Sequence, residues 1–203
     1  MRRLPRSFFA RATLTVARDL LGQRLVRRLP DGTRLAGLIT ETEAYVGEKD
    51  LACHARAGRT ARTAVMYGRP GLAYVYFIYG NHWCLNVVTE RAGFPAAVLI
   101  RALRPAEGLD VIRRNRAGRP VQALTDGPGK LAQALAIGRE ANGADLCARD
   151  ASLFIECAPA PAPAEIVAGP RVGIAGVPEP WRSLAWNFRW SARRPQRAQP
   201  GGV

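Results

Sequence analysis

Glu41, Glu43 and Tyr45 fall at alternate positions in the stretch Glu41-Thr42-Glu43-Ala44-Tyr45. In an extended strand that spacing puts all three side chains on one face. Carboxylates in an Arg-rich chain serve either as ion-pair partners for arginine or as proton acceptors in catalysis. From this motif alone, the ion pair is the ordinary reading. A second group is Tyr74, Tyr76 and Tyr79, three of the chain's five tyrosines, in Tyr74-Val-Tyr76-Phe-Ile-Tyr79-Gly80. A phenol hydroxyl needs a partner, so tyrosine is a poor filler for a dry core, although core packing accounts for Tyr74. Aromatic rings beside a basic surface are what base stacking requires. His54 and His82 are the only histidines. Taken singly, each reads as a hydrogen-bonded structural residue. Cys53-His54 and His82-x-Cys84 carry metal-ligand chemistry without finger spacing, so the four cysteines read as buried thiols, and no metal or cofactor is expected.

The elements that must position these residues follow from pattern and turn chemistry. Thr13 can cap a helix over 14–21, with Gly22 as its stop. Residues 23–29 and 34–45 read as strands joined by the turn Pro30-Asp31-Gly32-Thr33. Residues 47–71 lack periodicity and read as a long functional loop. The run 72–79 is the clearest strand; it turns at Gly80-Asn81 and returns over 83–89, with a further strand at 96–103. Pro105 suits the first turn of a helix ending near Ala117, and Asp126 can cap another over 128–137. Short strands are expected at 152–156 and within 165–174, separated by the extended Ala-Pro run 158–164. Strands and helices do not alternate, which gives an α+β class with a mainly antiparallel sheet. Residues 1–192 read as a single domain and 193–203 as a basic, flexible tail.

Charge narrows the class of partner. The chain has 203 residues, with 30 Lys+Arg against 16 Asp+Glu, for a net charge of +14. That excess argues against an ordinary charge-balanced metabolic enzyme and points to a polyanion. Residues 1–30 hold eight Arg and one Asp, and residues 56–69 hold four Arg and no acid. Arginine's planar fork suits phosphate oxygens. The 20 Gly and 15 Pro exclude a plain helical bundle. There is no apolar run of membrane-spanning length and no signal-peptide core after Met1-Arg2-Arg3, so a cytoplasmic protein is expected.

In order along the chain, several blocks resemble the alkyladenine (3-methyladenine) DNA glycosylase family. They are Ala17–Val26, Glu41–Tyr45, His54, Met66, Pro70-Gly71, Tyr74–Gly80, Cys84-Leu-Asn86, Val98–Leu103, Gly127–Leu135 and Arg171-Val-Gly173. The resemblance implies a monofunctional glycosylase that flips alkylated or deaminated purines out of duplex DNA. It hydrolyses the N-glycosidic bond and leaves an abasic site, as in base excision repair. It also implies a curved, open-barrel-like antiparallel sheet with flanking helices and a DNA-inserting β-hairpin, acting as a monomer on damaged double-stranded DNA. Carried over position by position, Glu43 is the general base, and Arg101 helps hold the water and the carboxylate. Tyr45, His54 and Tyr76 line the pocket, and Asn86 crowds the exocyclic amine of guanine. Tyr79 fills the hole in the duplex, with Met66, His82 and Lys130 on the DNA-contacting side. His82 and Trp83 depart from the hairpin's usual side chains.

The residues fit this chemistry in three ways. Extruding a base costs about a few kcal/mol, which an inserted side chain offsets. Aromatic rings attract a cationic alkylated purine by about 0.5–2 kcal/mol. Glycosylases that also cut the strand need an amine nucleophile, and Lys49 and Lys130 are the only lysines, which favours simple hydrolysis. The family roles also require Tyr76 and Asn86 on one face. A two-residue turn at Gly80-Asn81 would separate them, so a three-residue loop over 80–82 or a bulge is expected. Two rivals are a non-catalytic nucleic-acid-binding module, which leaves Glu43 unexplained, and a metal-dependent nuclease using Glu41, Glu43 and Asp50, whose spacing is poor for magnesium.

Overall fold

The computed structural model describes residues 2–191, so the basic tail over 193–203 lies outside the described residues. Two short helices, α1 (Arg6–Phe9) and α2 (Thr13–Asp19), precede the hairpin of β1 (Arg24–Arg28) and β2 (Arg34–Val46). Nothing in the sequence pattern marks α1. Thr13 is the first residue of α2 rather than its cap: the Glu90 carboxylate accepts from its N–H at 2.7 Å and its hydroxyl at 2.9 Å. The β1–β2 turn closes as the sequence suggests, with the Thr33 N–H donating to Asp31 at 2.9 Å and Gly32 at φ +86°.

The next elements are β3 (Ala73–Ile78), β4 (His82–Val88), β5 (Ala96–Glu107), α3 (Leu109–Asn115) and α4 (Pro128–Ala134). Strands β6 (Leu153–Glu156), β7 (Ile166–Gly169) and β8 (Asn187–Trp190) complete the fold, and β8 has no counterpart in the sequence pattern. Pro105 does not open a helix. Its strand runs on to Glu107, with Pro105 opposite Gly37. Beyond Leu99, β5 has no β4 partner, and such an edge tolerates proline. Gly108, at φ +70°, then turns the chain into α3. Gly127 rather than Asp126 is the cap of α4; the Asp126 carboxylate accepts instead from Lys130 at 2.9 Å.

All strand pairings are antiparallel, in the order β3-β4-β5-β2-β1-β6, and the sheet is not closed. β1 covers the first part of β2 and β8 covers residues 41–43, with β7 outside β8. Strand alternation gives the sheet two unlike faces. Ala44, Val75, Leu85, Val87, Val98 and Ile100 pack with Leu20 and Leu21 and with Leu131 and Leu135 of α4 into the main core. The other face carries a smaller cluster of Cys53, Ala55, Met66, Tyr74, Val88 and Ala97. It is overlaid by the 47–71 segment, which contains two single 3₁₀ turns, His54–Ala57 and Ala64–Tyr67.

The β3–β4 hairpin pairs Ile78 with His82, so its loop is Tyr79-Gly80-Asn81. The loop has three residues, as the family roles require, but lies one position earlier than 80–82. Tyr76 therefore faces Cys84 and Asn86 faces Tyr74, and all four share one face of the sheet.

Candidate active site

One row of directly opposed residues crosses the second face of the sheet. It runs from Tyr74 on β3 to Asn86 on β4, Leu99 on β5, Glu43 on β2 and Asn187 on β8. Opposed residues project to the same side, so the row brings together side chains from five strands. Two positions along, Tyr45, Tyr76 and Cys84 extend the same surface.

Glu43 is fully buried and engages four protein donors. Its Oε1 accepts from the Val172 N–H at 2.7 Å and from Asn187 Nδ2 at 3.0 Å. Its Oε2 accepts from the Tyr45 hydroxyl at 2.9 Å and from Arg101 at 3.2 Å. The Arg101 Nε donates to Glu41 Oε1 at 3.0 Å, so one guanidinium ties the two carboxylates together. A bulge makes this possible. Glu41 faces Ala102 while Thr42 faces Ile100, which leaves Arg101 as an extra residue in β5 aimed out of the regular ladder. Burial alone would lower the Arg101 pKa, but Glu43 and Glu41 raise it above its ordinary value. The ion-pair reading of Glu41 and Glu43 and the placement of Arg101 beside the carboxylate thus describe the same cluster.

Beside Glu43 opens a cavity of about 210 Å³ lined by Tyr45, His54, Tyr76, Asn86 and Arg101, among others. His54 Nδ1 lies 2.9 Å from the Tyr74 hydroxyl, and its ring meets Tyr76 edge-on at 4.4 Å between centroids. Burial, reinforced by the positive charges of Arg62 and Arg56, lowers His54 to about 4, so the ring is neutral at pH 7. Burial, then the Glu43 charge and hydrogen bond, push the Tyr45 phenol well above its ordinary value. Burial also raises the Tyr76 phenol and lifts the Cys53 thiol to about 12. The three rings are therefore neutral, and arginines already lie over two of them, Arg171 at 4.8 Å from the Tyr45 centroid and Arg62 at 5.4 Å from that of Tyr76. Asn86 is buried in the wall, with its Nδ2 donating to the Tyr74 carbonyl at 3.0 Å.

Residues 7–194 match the methylpurine-DNA glycosylase family. A protein of Methanocella arvoryzae named as a 3-methyladenine DNA glycosylase is 54% identical over 184 residues, covering 88% of this chain and 90% of the relative. A second of that name, from Anaeromyxobacter dehalogenans, is 52% identical over 187 residues, covering 92% and 82%. One from Carboxydothermus hydrogenoformans is 47% identical over 192 residues, covering 94% and 99%. The chain belongs to the methylpurine-DNA glycosylase family. It is a DNA glycosylase, a hydrolase of N-glycosyl bonds that acts in DNA repair. A binding module without catalysis is set aside on that ground.

Within the glycosylase, the other expected residues lie apart from Glu43. Tyr79 stands at the hairpin tip, 80% exposed, in the left-handed region at φ +54°. His82 sits at the base of the same loop against α4; a Cβ on Gly129 would come within 2.7 Å of its ring. Lys130 is on the first turns of α4, at the surface and paired with Asp126. Met66, which the resemblance puts on the DNA-contacting side, is 2% exposed and lines the cavity wall. Asp50 does not join Glu41 and Glu43 as the nuclease reading needs: both its oxygens are held by Arg171.

Two parts of the site escape a local reading of the sequence. Arg171 is 121 positions from Asp50 and bonds it at 2.6 and 2.9 Å, with both side chains fully buried. Its guanidinium also lies 4.8 Å from the centroid of Tyr45 and donates to the Ala44 carbonyl at 3.0 Å. This fixes the next residue, Val172, whose N–H reaches Glu43. The block Arg171-Val-Gly173 was the available signal. Asn187, by contrast, had none.

Proposed function

We propose that the enzyme takes an alkylated or deaminated purine, flipped out of duplex DNA, into the cavity beside Glu43, and hydrolyses its bond to deoxyribose. The observation that carries this is a fully buried carboxylate whose two Oε2 donors, Tyr45 and Arg101, line a cavity walled by aromatic rings. Tyr45, His54 and Tyr76 offer a cationic purine attraction of about 0.5–2 kcal/mol, which a neutral purine gains less of. Asn86 stands in the wall where a guanine amino group would crowd it.

Glu43 takes a proton from water as the water oxygen bonds to the sugar C1′. The electron pair of the C1′–N bond leaves with the purine, and an abasic site remains. The water enters on the Oε2 side, because both donors there, Tyr45 and Arg101, line the cavity. Oε1 stays held by Val172 and Asn187. Tyr79 enters the duplex at the vacated position, and the Arg-rich segments contact phosphate.

Glu43→Gln tests the reading. It keeps size and most hydrogen bonding but cannot take the proton. Single-turnover excision from a duplex containing one 7-methylguanine should fall by about 100-fold or more, with lesion binding retained. Excision at the parental rate would remove Glu43 from the mechanism.

A further inference from the structure

We propose that Asn187 is a positioning residue for hydrolysis, an uncharged bridge that holds the side chains of Glu41 and Glu43 side by side. The inference rests on the reading of Glu43 as the base. Asn187 is 2% exposed, and neither it nor Glu43 is part of the cavity wall, which Tyr45, Arg101 and Val172 form in front of them. It faces Glu43 directly across the β2–β8 pairing. Its Nδ2 lies 2.7 Å from Glu41 Oε1 and 3.0 Å from Glu43 Oε1. Both partners are carboxylate acceptors, so only the amide NH₂ can make these bonds, and it has one hydrogen for each.

The electrostatic need is specific. Two carboxylates close together resist joint ionisation unless positive charge or donors compensate. Arg101 bridges the pair from β5. Asn187 bridges it from β8, on the opposite side of β2. The other charged groups nearby compensate each other: Arg171 and Asp50 form a closed pair. Tyr45 donates its hydroxyl to Glu43. The cluster therefore has two negative charges against the single guanidinium of Arg101, and Asn187 supplies hydrogen bonds without further charge. With Val172 it also fixes Oε1, leaving Oε2 as the oxygen that meets water.

The test uses Asn187→Asp, which keeps shape but puts a third carboxylate between the first two. Misplacing a catalytic group from outside the substrate shell can cost about 100-fold, and a loss of that order is expected in single-turnover excision, with lesion-DNA affinity nearly unchanged. Adding Glu41→Gln to Asn187→Asp restores both the charge count and the donor–acceptor pairing between positions 41 and 187. The introduced carboxylate and Glu43 still lack a donor between them, so part of the lost rate should return. A merely structural role would not give that rescue. Parental excision by Asn187→Asp, or a double variant no faster than the single, would overturn the proposal. Glu43→Gln run alongside separates the two claims. If it excises normally, the base assignment fails and this inference with it. If it is inactive while Asn187→Asp is fully active, the positioning role alone fails.

Discussion

Arg171 and Asp50 form a two-pronged ion pair, at 2.6 and 2.9 Å, with both side chains fully buried. The pair closes the long 47–71 loop against the segment that presents the Val172 N–H to Glu43. Asp50→Asn would leave a guanidinium buried without its counter-charge. The expected loss of stability is about 3–5 kcal/mol, measured by denaturant unfolding. A loss under about 1 kcal/mol would mean the arginine finds other compensation.

His54 couples the cage to pH. Burial first, then Arg62 and Arg56, hold its folded-state value at about 4, below the ordinary 6.5. A base with a depressed value binds its proton more readily in the unfolded chain. Its contribution to stability is therefore complete above about pH 6.5 and is lost as pH falls toward 4. His54→Gln should flatten stability against pH across that window. An NMR titration of the two histidines that finds His54 protonating near 6.5 would contradict the assignment.

Tyr79 touches little in the free protein, being 80% exposed. Tyr79→Ser should change unfolding stability by less than about 0.5 kcal/mol. Excision should drop more for a well-paired lesion than for the same lesion in a mispair, which is already partly unstacked. Equal losses on the two duplexes would rule out a wedge.

Tyr76 lies 4.4 Å from His54 and 5.4 Å from the Arg62 guanidinium, centroid distances that mark it as a face already used by a cation. Tyr76→Leu keeps an apolar wall and removes the ring. The ratio of 7-methylguanine to hypoxanthine excision should fall by roughly 2- to 30-fold, the equivalent of a cation–π contact of about 0.5–2 kcal/mol. An unchanged ratio would show that charge selection resides elsewhere.

The parts of this fold that follow a local rule were legible in the sequence. Alternation places Glu43 and Tyr45 on one face of β2, and the aromatic run marks β3 with its return strand. Pro105 is not legible locally, because proline suits a helix start and a strand edge equally and only the length of β4 decides which applies. The family resemblance puts Met66 on the DNA-contacting side without fixing its orientation, and the 3₁₀ turn rotates it into the wall. Asn187 and the Asp50–Arg171 pair act across more than a hundred positions, where neither periodicity nor turn chemistry reaches.

The row across the sheet has a further consequence through Leu99. This side chain stands between Asn86 on one strand and Glu43 on the other. None of the four donors to Glu43 comes from β3 or β4; they come from β2, β5, β8 and the segment at Val172. The hairpin and the carboxylate cluster thus meet at one aliphatic side chain. Substitutions on β3 and β4 can therefore reshape that part of the cavity wall without removing any of the four donors to Glu43.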